Sequence, residues 1–425
     1  MEMRPTNLSL QQSSDENSVE QQSPREGGYG WVVVLCTFLI NAHTWGINSA
    51  YGVLLSFYLS HEIFPNTTPL DYAFVGGLSV ACAMLISPVA TYIGNRFSVQ
   101  LVMNIGALLE TTSLVTTSLV RRNWQLFLAQ GVCFGFGMGC CFVGSVGIVS
   151  QWFCKKRSLS NGIAAAGSGT GGLIYSLSVG AMIPQIGFLW AMRALGIISF
   201  VIILICGNLL RTNNSNSGSR NILQFSVFRN PNYVALAVWG ILSGFGYVSL
   251  LFSLSSYTVA MGFSEKQGSV ASALLNLGQI IGRPAIGWLS DSLGRTNVAV
   301  SATFIAGFLS LVMWPFATSI PVIYTFAIMV GLVAGTLWAT ASPLTAEVVG
   351  SADISGALGL FWFILTPSTA VAEAVSMKLV GTGFEQKPYL GVQLLVGFMY
   401  AGAAVSLLLL KTPRCTVCLR SDGNT

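Results

Sequence analysis

The side chains best able to do chemistry gather between Asn276 and Arg295, in Asn-Leu-Gly-Gln-Ile-Ile-Gly-Arg-Pro-Ala-Ile-Gly-Trp-Leu-Ser-Asp-Ser-Leu-Gly-Arg. A full positive charge, Arg283, stands inside a run that otherwise reads as a membrane span. On a helix Asn276, Gln279 and Arg283 share one stripe, because residues three, four and seven apart point the same way. That stripe cannot face lipid cheaply. An arginine at the bilayer centre costs roughly 2.5–3.5 kcal/mol on insertion scales, so such a residue faces a bundle interior or a wet cavity. The stretch leaves the apolar region through Gly287, Asp291, Gly294 and Arg295, a tight charged turn.

Composition says what must position these groups. Of the 425 residues 8% are charged and 53% hydrophobic, with mean hydropathy +0.68, against roughly a quarter charged in soluble domains. The chain is expected to be an all-α membrane protein crossing the bilayer many times. Its net charge of +5 is spread over short loops with no basic cluster beyond Lys155–Arg157, which excludes a nucleic-acid role. Seven of nine cysteines (Cys36, Cys82, Cys133, Cys140, Cys141, Cys154, Cys206) lie in or beside apolar runs and read as small hydrophobes. Cys415 and Cys418 lack the two further ligands zinc needs, so neither metal nor cofactor is expected.

Apolar runs of about 20 residues, long enough to span a bilayer, fall near 29–54, 72–94, 98–120, 126–150, 160–183, 187–210, 232–257, 268–290, 297–318, 320–345, 354–377 and 389–411. The expectation is therefore twelve helices in two six-helix halves, 29–210 and 232–411. Residues 1–28 form a polar cytosolic tail, 211–231 a polar cytosolic linker and 412–425 a second tail. With both termini inside, thirteen Lys and Arg fall on inner segments and five on outer ones, the bias expected of cytoplasmic loops. Asn66-Thr-Thr68 then lies on an outer loop as a glycan acceptor. The halves echo each other: Ser87–Arg96 after the second span parallels Gly287–Arg295 after the eighth. Asp291 and Arg295 keep a charged turn, whereas the first copy has Thr91 in place of the acid and ends on Arg96. An inner gate leaning on the second half is expected, with Asp291, Arg295, Arg96 and the basic triplet Lys155, Lys156 and Arg157 as its loop residues.

Two strings carry a family resemblance. Glu26-Gly-Gly-Tyr-Gly-Trp31 opens the first span, and Gln151-Trp-Phe-Cys-Lys-Lys-Arg-Ser-Leu-Ser-Asn-Gly162 runs into the small-residue Ala164-Ala-Ala-Gly-Ser-Gly169. Together they resemble the signatures of the monocarboxylate transporter family within the major facilitator superfamily, in its fungal branch. The resemblance covers Glu26 to Lys411 and implies the twelve-helix major facilitator fold. It also implies alternating access to a central site where the eighth-helix arginine, here Arg283, pairs with a substrate carboxylate, and a tenth-helix selectivity aromatic, here Trp338. Proton-coupled members carry an aspartate one turn before that arginine and a lysine in the first helix. Here those places hold Gln279 and Ser49, which removes two ionisable groups while leaving the arginine.

The remaining candidates follow from the spans. Asn41, Thr44, Trp45 and Asn48 make a polar stripe on the first helix, with Asn48 expected to line a cavity and His43 off the stripe. Glu110 and Glu373 are in-span carboxylates and candidate proton carriers. Glu373 shares a face with Thr366 and Thr369; Glu110 is read alternatively as paired with Gln130 or a neighbouring hydroxyl. Arg193 is read as structural. Glycines of the fourth span (Gly131, Gly135, Gly139) and the fifth (Gly162, Gly167, Gly169) are read as helix-packing positions. The expected substrate-binding set is Arg283, Gln279, Asn276, Asn48 and Trp338, for a small organic anion moved by a monomer in the plasma membrane, with protons as a candidate coupling ion. A neutral or larger solute is the alternative, and a transporter-like nutrient sensor a remoter one. An intramembrane enzyme is excluded by the lack of an in-span nucleophile with a base at helical spacing.

Overall fold

The computed structural model describes residues 27–52, 54, 57, 58, 68–212, 225–350, 354–381 and 387–410, and they are helical with short connections. Asn66, Cys415, Cys418, residues 1–26 and 411–425 and most of the linker lie outside the described residues. In chain order the helices are α1 (Tyr29–Ser49), α2 (Leu70–Arg96), α3 (Val99–Thr117), α4 (Asn123–Trp152), α5 (Arg157–Leu209), α6 (Pro231–Ala260), α7 (Glu265–Leu293), α8 (Arg295–Phe316), α9 (Ile320–Val349), α10 (Ile354–Leu379) and α11 (Leu390–Leu408). α5 joins the expected fifth and sixth spans, which part at Gly187, where φ of 79° breaks the helical path. Only glycine enters that region without strain.

Among the described residues ten helical segments are long and apolar enough to cross a membrane. The two expected runs missing from that set, 160–183 and 268–290, are helical all the same. Their shortage of apolar residues has a physical cause: the first arm of α5 and α7 pack against each other along their length, so much of their surface meets protein rather than lipid. Their glycines make this close approach possible. A methyl group on Gly169 would lie 3.0 Å from the Asn276 carbonyl oxygen, and one on Gly287 2.9 Å from Leu159 Cα. The fifth-span glycines are thus packing positions, as are Gly135 and Gly139 of α4 against α2.

The two signature strings, distant in sequence, meet in space. Tyr29 lies 5.8 Å from Trp152 and Trp31 5.1 Å from Phe153, centroid to centroid, and the Tyr29 hydroxyl donates to the Leu209 carbonyl at 2.6 Å. Gly27 and Gly28, with φ of 134° and 63°, turn the chain into α1. Cys36, Cys82, Cys133, Cys140, Cys141 and Cys206 are free thiols, whereas Cys154, read from the sequence as a small hydrophobe, is disulfide-bonded.

Helices α1 to α5 and α6 to α11 touch along two seams, α5 against α7 and α2 against α10. The central cavity lies between these seams.

Candidate functional site

Arg283 projects from α7 toward the middle of the molecule and is 3% exposed. Every partner it has is neutral. One terminal nitrogen donates to the Ala165 carbonyl at 2.6 Å and to Ser168 Oγ; the other donates to Gln279 Oε1 and, at 3.3 Å, to the Tyr247 hydroxyl. No carboxylate lies within ion-pair distance of it among the described residues. Its Nε has no partner. A methyl group on Gly335 would lie 2.6 Å from that Nε, so the guanidinium fits only because α9 passes with a glycine there. An unpaired buried charge is costly unless hydrogen-bonded, and Arg283 is held by donating across the seam to α5.

The guanidinium borders a narrow cavity between the two helix sets. α1 contributes Thr37, Asn41, Trp45 and Asn48, one helical stripe. Asn41 Nδ2 donates to the Ala164 carbonyl at 2.9 Å and Asn48 Nδ2 to Ser79 Oγ at 2.8 Å. Thr44 turns instead to its own helix, bonding the Ile40 carbonyl at 2.8 Å.

Of the expected substrate-binding set, Arg283, Asn48 and Trp338 line this cavity. Gln279 stands behind Arg283: its oxygen receives both the guanidinium and, at 3.0 Å, the Tyr247 hydroxyl. Asn276 turns to α5, its Nδ2 lying 3.2 Å from where a Gly172 side chain would begin. Neither walls the cavity: Gln279 holds Arg283, and Asn276 packs against α5.

Sequence reasoning did not single out Tyr247, Phe142, Asn161 or Ser168, all of which line the same space. Asn161 and Ser168 fall within the second signature string, so a signal existed for them. None existed for Tyr247 or Phe142, one apolar aromatic among many. They complete an aromatic wall: Trp338 stacks on Trp362 at 5.4 Å and meets Trp45 at 4.9 Å, Tyr247 at 5.7 Å and Phe142 at 5.9 Å.

The in-span acids stand away from this cavity. Glu373 of α10 is 6% exposed and faces Gly76 and Gly77 of α2, its Oε2 without a partner. Glu110 of α3 is fully buried and neither oxygen has a hydrogen-bond partner. Gln130, one expected partner, instead accepts from the Tyr58 hydroxyl at 3.1 Å. His43 meets the Tyr175 hydroxyl, and Arg193 donates to Ser118 Oγ at 3.2 Å while lying over Trp190.

The charged turn forms a latch between the two sets of helices. Asp291 accepts from the backbone N–H groups of Ser158 at 3.0 Å and Leu159 at 2.8 Å, occupying the start of α5, where unsatisfied N–H groups and the helix dipole favour an anion. Arg295 donates to Ser158 Oγ and to the Cys154 carbonyl, each at 3.0 Å, and pairs with Glu347 of α9 at 2.9 Å. Glu347 is a member the sequence did not single out. Within the basic triplet, Arg157 Nε donates to the Phe153 carbonyl at 3.0 Å. Arg96 lies over the Phe97 ring and makes no bond across the seam among the described residues.

Residues 33–373 match the family described as Major Facilitator Superfamily. The Probable transporter MCH2 of Saccharomyces cerevisiae is 33% identical over 395 residues, covering 91% of this chain and 83% of its own length. Monocarboxylate transporter 12 of Homo sapiens is 26% identical, covering 92% and 82%. Agnestins efflux protein AgnL12 of Paecilomyces divaricatus is 25% identical, covering 89% and 87%. The crystal structure of the human organic anion transporter MFSD10 (TETRAN) has the same fold, with a TM-score of 0.71 at 15% identity over 91% of this chain and 100% of that one. With membrane-length apolar helices and a polar centre between two helix sets, the chain belongs to the major facilitator superfamily, as a multi-pass membrane transporter of the monocarboxylate-transporter-like kind.

Proposed function

We propose that the chain is a secondary active transporter of a small organic anion, working by alternating access about the Arg283 cavity. The observation that carries this is a buried guanidinium with no acidic counter-ion among the described residues. Its present partners are neutral oxygens, and an incoming carboxylate is a stronger acceptor because it adds an opposite charge and can take two parallel N–H bonds from the guanidinium. Since Ala165 and Ser168 belong to the opposite helix set, a substrate that takes Arg283 from them also loosens the α5–α7 seam. Binding is thereby coupled to movement of one half against the other.

In this reading twelve spans form halves 29–210 and 232–411, and the latch end of the molecule faces the cytosol with both termini. The transporter acts as a monomer in the plasma membrane. Asp291, Arg295 and Glu347 hold the cytosolic side shut. Glu373, at the far end of the α2–α10 seam, is the proposed proton carrier, since it meets both halves; Glu110, enclosed by one half, is the lesser candidate. The rival reading, a neutral or larger solute, draws on the satisfaction of four of the arginine's bonds without any anion.

The test is uptake and efflux of radiolabelled carboxylates and neutral vitamins in proteoliposomes of wild type, Arg283→Gln and Glu373→Gln, at acidic and neutral external pH. Carboxylate flux lost in the arginine variant supports the anion reading. Flux that survives without Arg283, or of neutral solutes alone, overturns it. Glu373→Gln is expected to keep exchange but flatten its pH dependence; an unchanged profile removes Glu373 as the carrier.

A further inference from the structure

Hydrogen-bond donors beyond what one carboxylate needs stand beside the cavity, on residues of its aromatic wall and on Arg283. Arg283 Nε, Trp45 Nε1 and Trp338 Nε1 are each buried without a partner. The rings of Trp45, Phe142, Tyr247 and Trp338 all line the same space, two from each helix set, and each is within 6 Å of another, centroid to centroid. Tyr247 joins charge to wall, since its hydroxyl receives the guanidinium while its ring meets Trp338 edge-on. Among the described residues no Asp or Glu lines this cavity.

A short aliphatic acid would occupy the guanidinium and leave both indole N–H groups unmet, a penalty for buried donors. Its methyl or hydroxymethyl end would also make little use of flat aromatic faces. A planar ring packs against such a wall with offset or edge-on contacts, and an oxygen on its far side reaches an indole N–H.

We infer that the preferred substrate is an aryl carboxylate bearing a second oxygen acceptor. The carboxylate meets Arg283, the ring lies against Trp45 and Trp338, and the second oxygen accepts from one of their indoles. This rests on the anion reading and narrows it.

Calorimetric titration of the purified full-length protein with four probes tests it: lactate, cyclohexanecarboxylate, benzoate and para-acetylbenzoate. Benzoate is expected to bind on the order of tenfold more tightly than cyclohexanecarboxylate, which has the same charge and similar bulk but no π face. Para-acetylbenzoate should gain a further severalfold. The conservative double variant Trp45→Phe/Trp338→Phe, checked for monodispersity, should keep the benzoate preference and lose the acetyl gain; Trp338→Leu should shrink the benzoate preference. Equal binding of benzoate and cyclohexanecarboxylate to the wild type overturns the inference, as does an acetyl gain surviving in the double variant. Lactate bound through Arg283 with no aryl preference leaves the anion reading standing and removes only this one. Binding that is indifferent to Arg283→Gln, or no binding of any probe, removes both.

Discussion

The two seams joining the helix sets are built from related sequence and different chemistry. On the α5–α7 side, Asp291 receives two backbone N–H groups and Arg295 bridges three chain segments. On the α2–α10 side, the place of Asp291 is taken by Thr91, whose hydroxyl is buried without a partner, and the contact is steric: a methyl on Gly359 would lie 2.5 Å from Thr91 Oγ1. Nearby the Ser87 hydroxyl donates to the Gly359 carbonyl at 2.8 Å, a neutral hydrogen bond across this seam. The backbones differ as well, because Gly294 turns the chain with φ of 98° and lets Arg295 fold back toward α5, while α2 runs helically on to Arg96. A charged latch is directional and weakens when water enters, whereas a close glycine contact with one neutral hydrogen bond slides or jams mainly according to volume. The α5–α7 seam is therefore suited to respond to substrate, and the α2–α10 seam to act as the surface it moves against.

The largest effect that would sharpen this contrast is expected at Arg283 itself. Arg283→Gln should lower anion affinity on the order of a hundredfold, since truncating one partner of a buried charge pair costs several kcal/mol; proteoliposome exchange reads it directly. Next comes the latch. Asp291→Asn should weaken closure of its end about tenfold, within the range for bonds to charged groups. Labelling of a cysteine placed at Ser150, whose Oγ lies 2.7 Å from Ser342 Oγ across the halves, reports the opening. Slower labelling than in the unmutated background would contradict the latch.

A smaller, volume-driven effect is expected from Gly359→Ala, slowing turnover severalfold as the added carbon meets Thr91, with recovery when Thr91→Ala is added. No recovery would mean that the seam is not set by that contact. The smallest effect belongs to Thr91→Val, which removes a hydroxyl that bonds nothing and should stay within about 0.5 kcal/mol in thermal stability. If Thr91→Val and Asp291→Asn proved equally harmful, the contrast between the seams would fall.

Much of the fold and part of the site were legible in the residues themselves. The apolar runs, the charge inside one of them and the paired turns at Thr91 and Asp291 depend on local spacing, which a linear chain displays. The four-residue glycine steps likewise marked helices that pack closely. Spacing also placed Asn276, Gln279 and Arg283 on one stripe, but only tertiary packing divided that stripe, giving Arg283 to the cavity, Gln279 to its support and Asn276 to the contact with α5. The same holds for Glu110, which no nearby polar group satisfies, and for Glu347, brought to Arg295 from 52 positions away. Helical periodicity determines which side chains share a face. What that face meets depends on how helices from different halves are rotated and pressed together, and that is decided by the whole assembly's packing rather than by any segment of it.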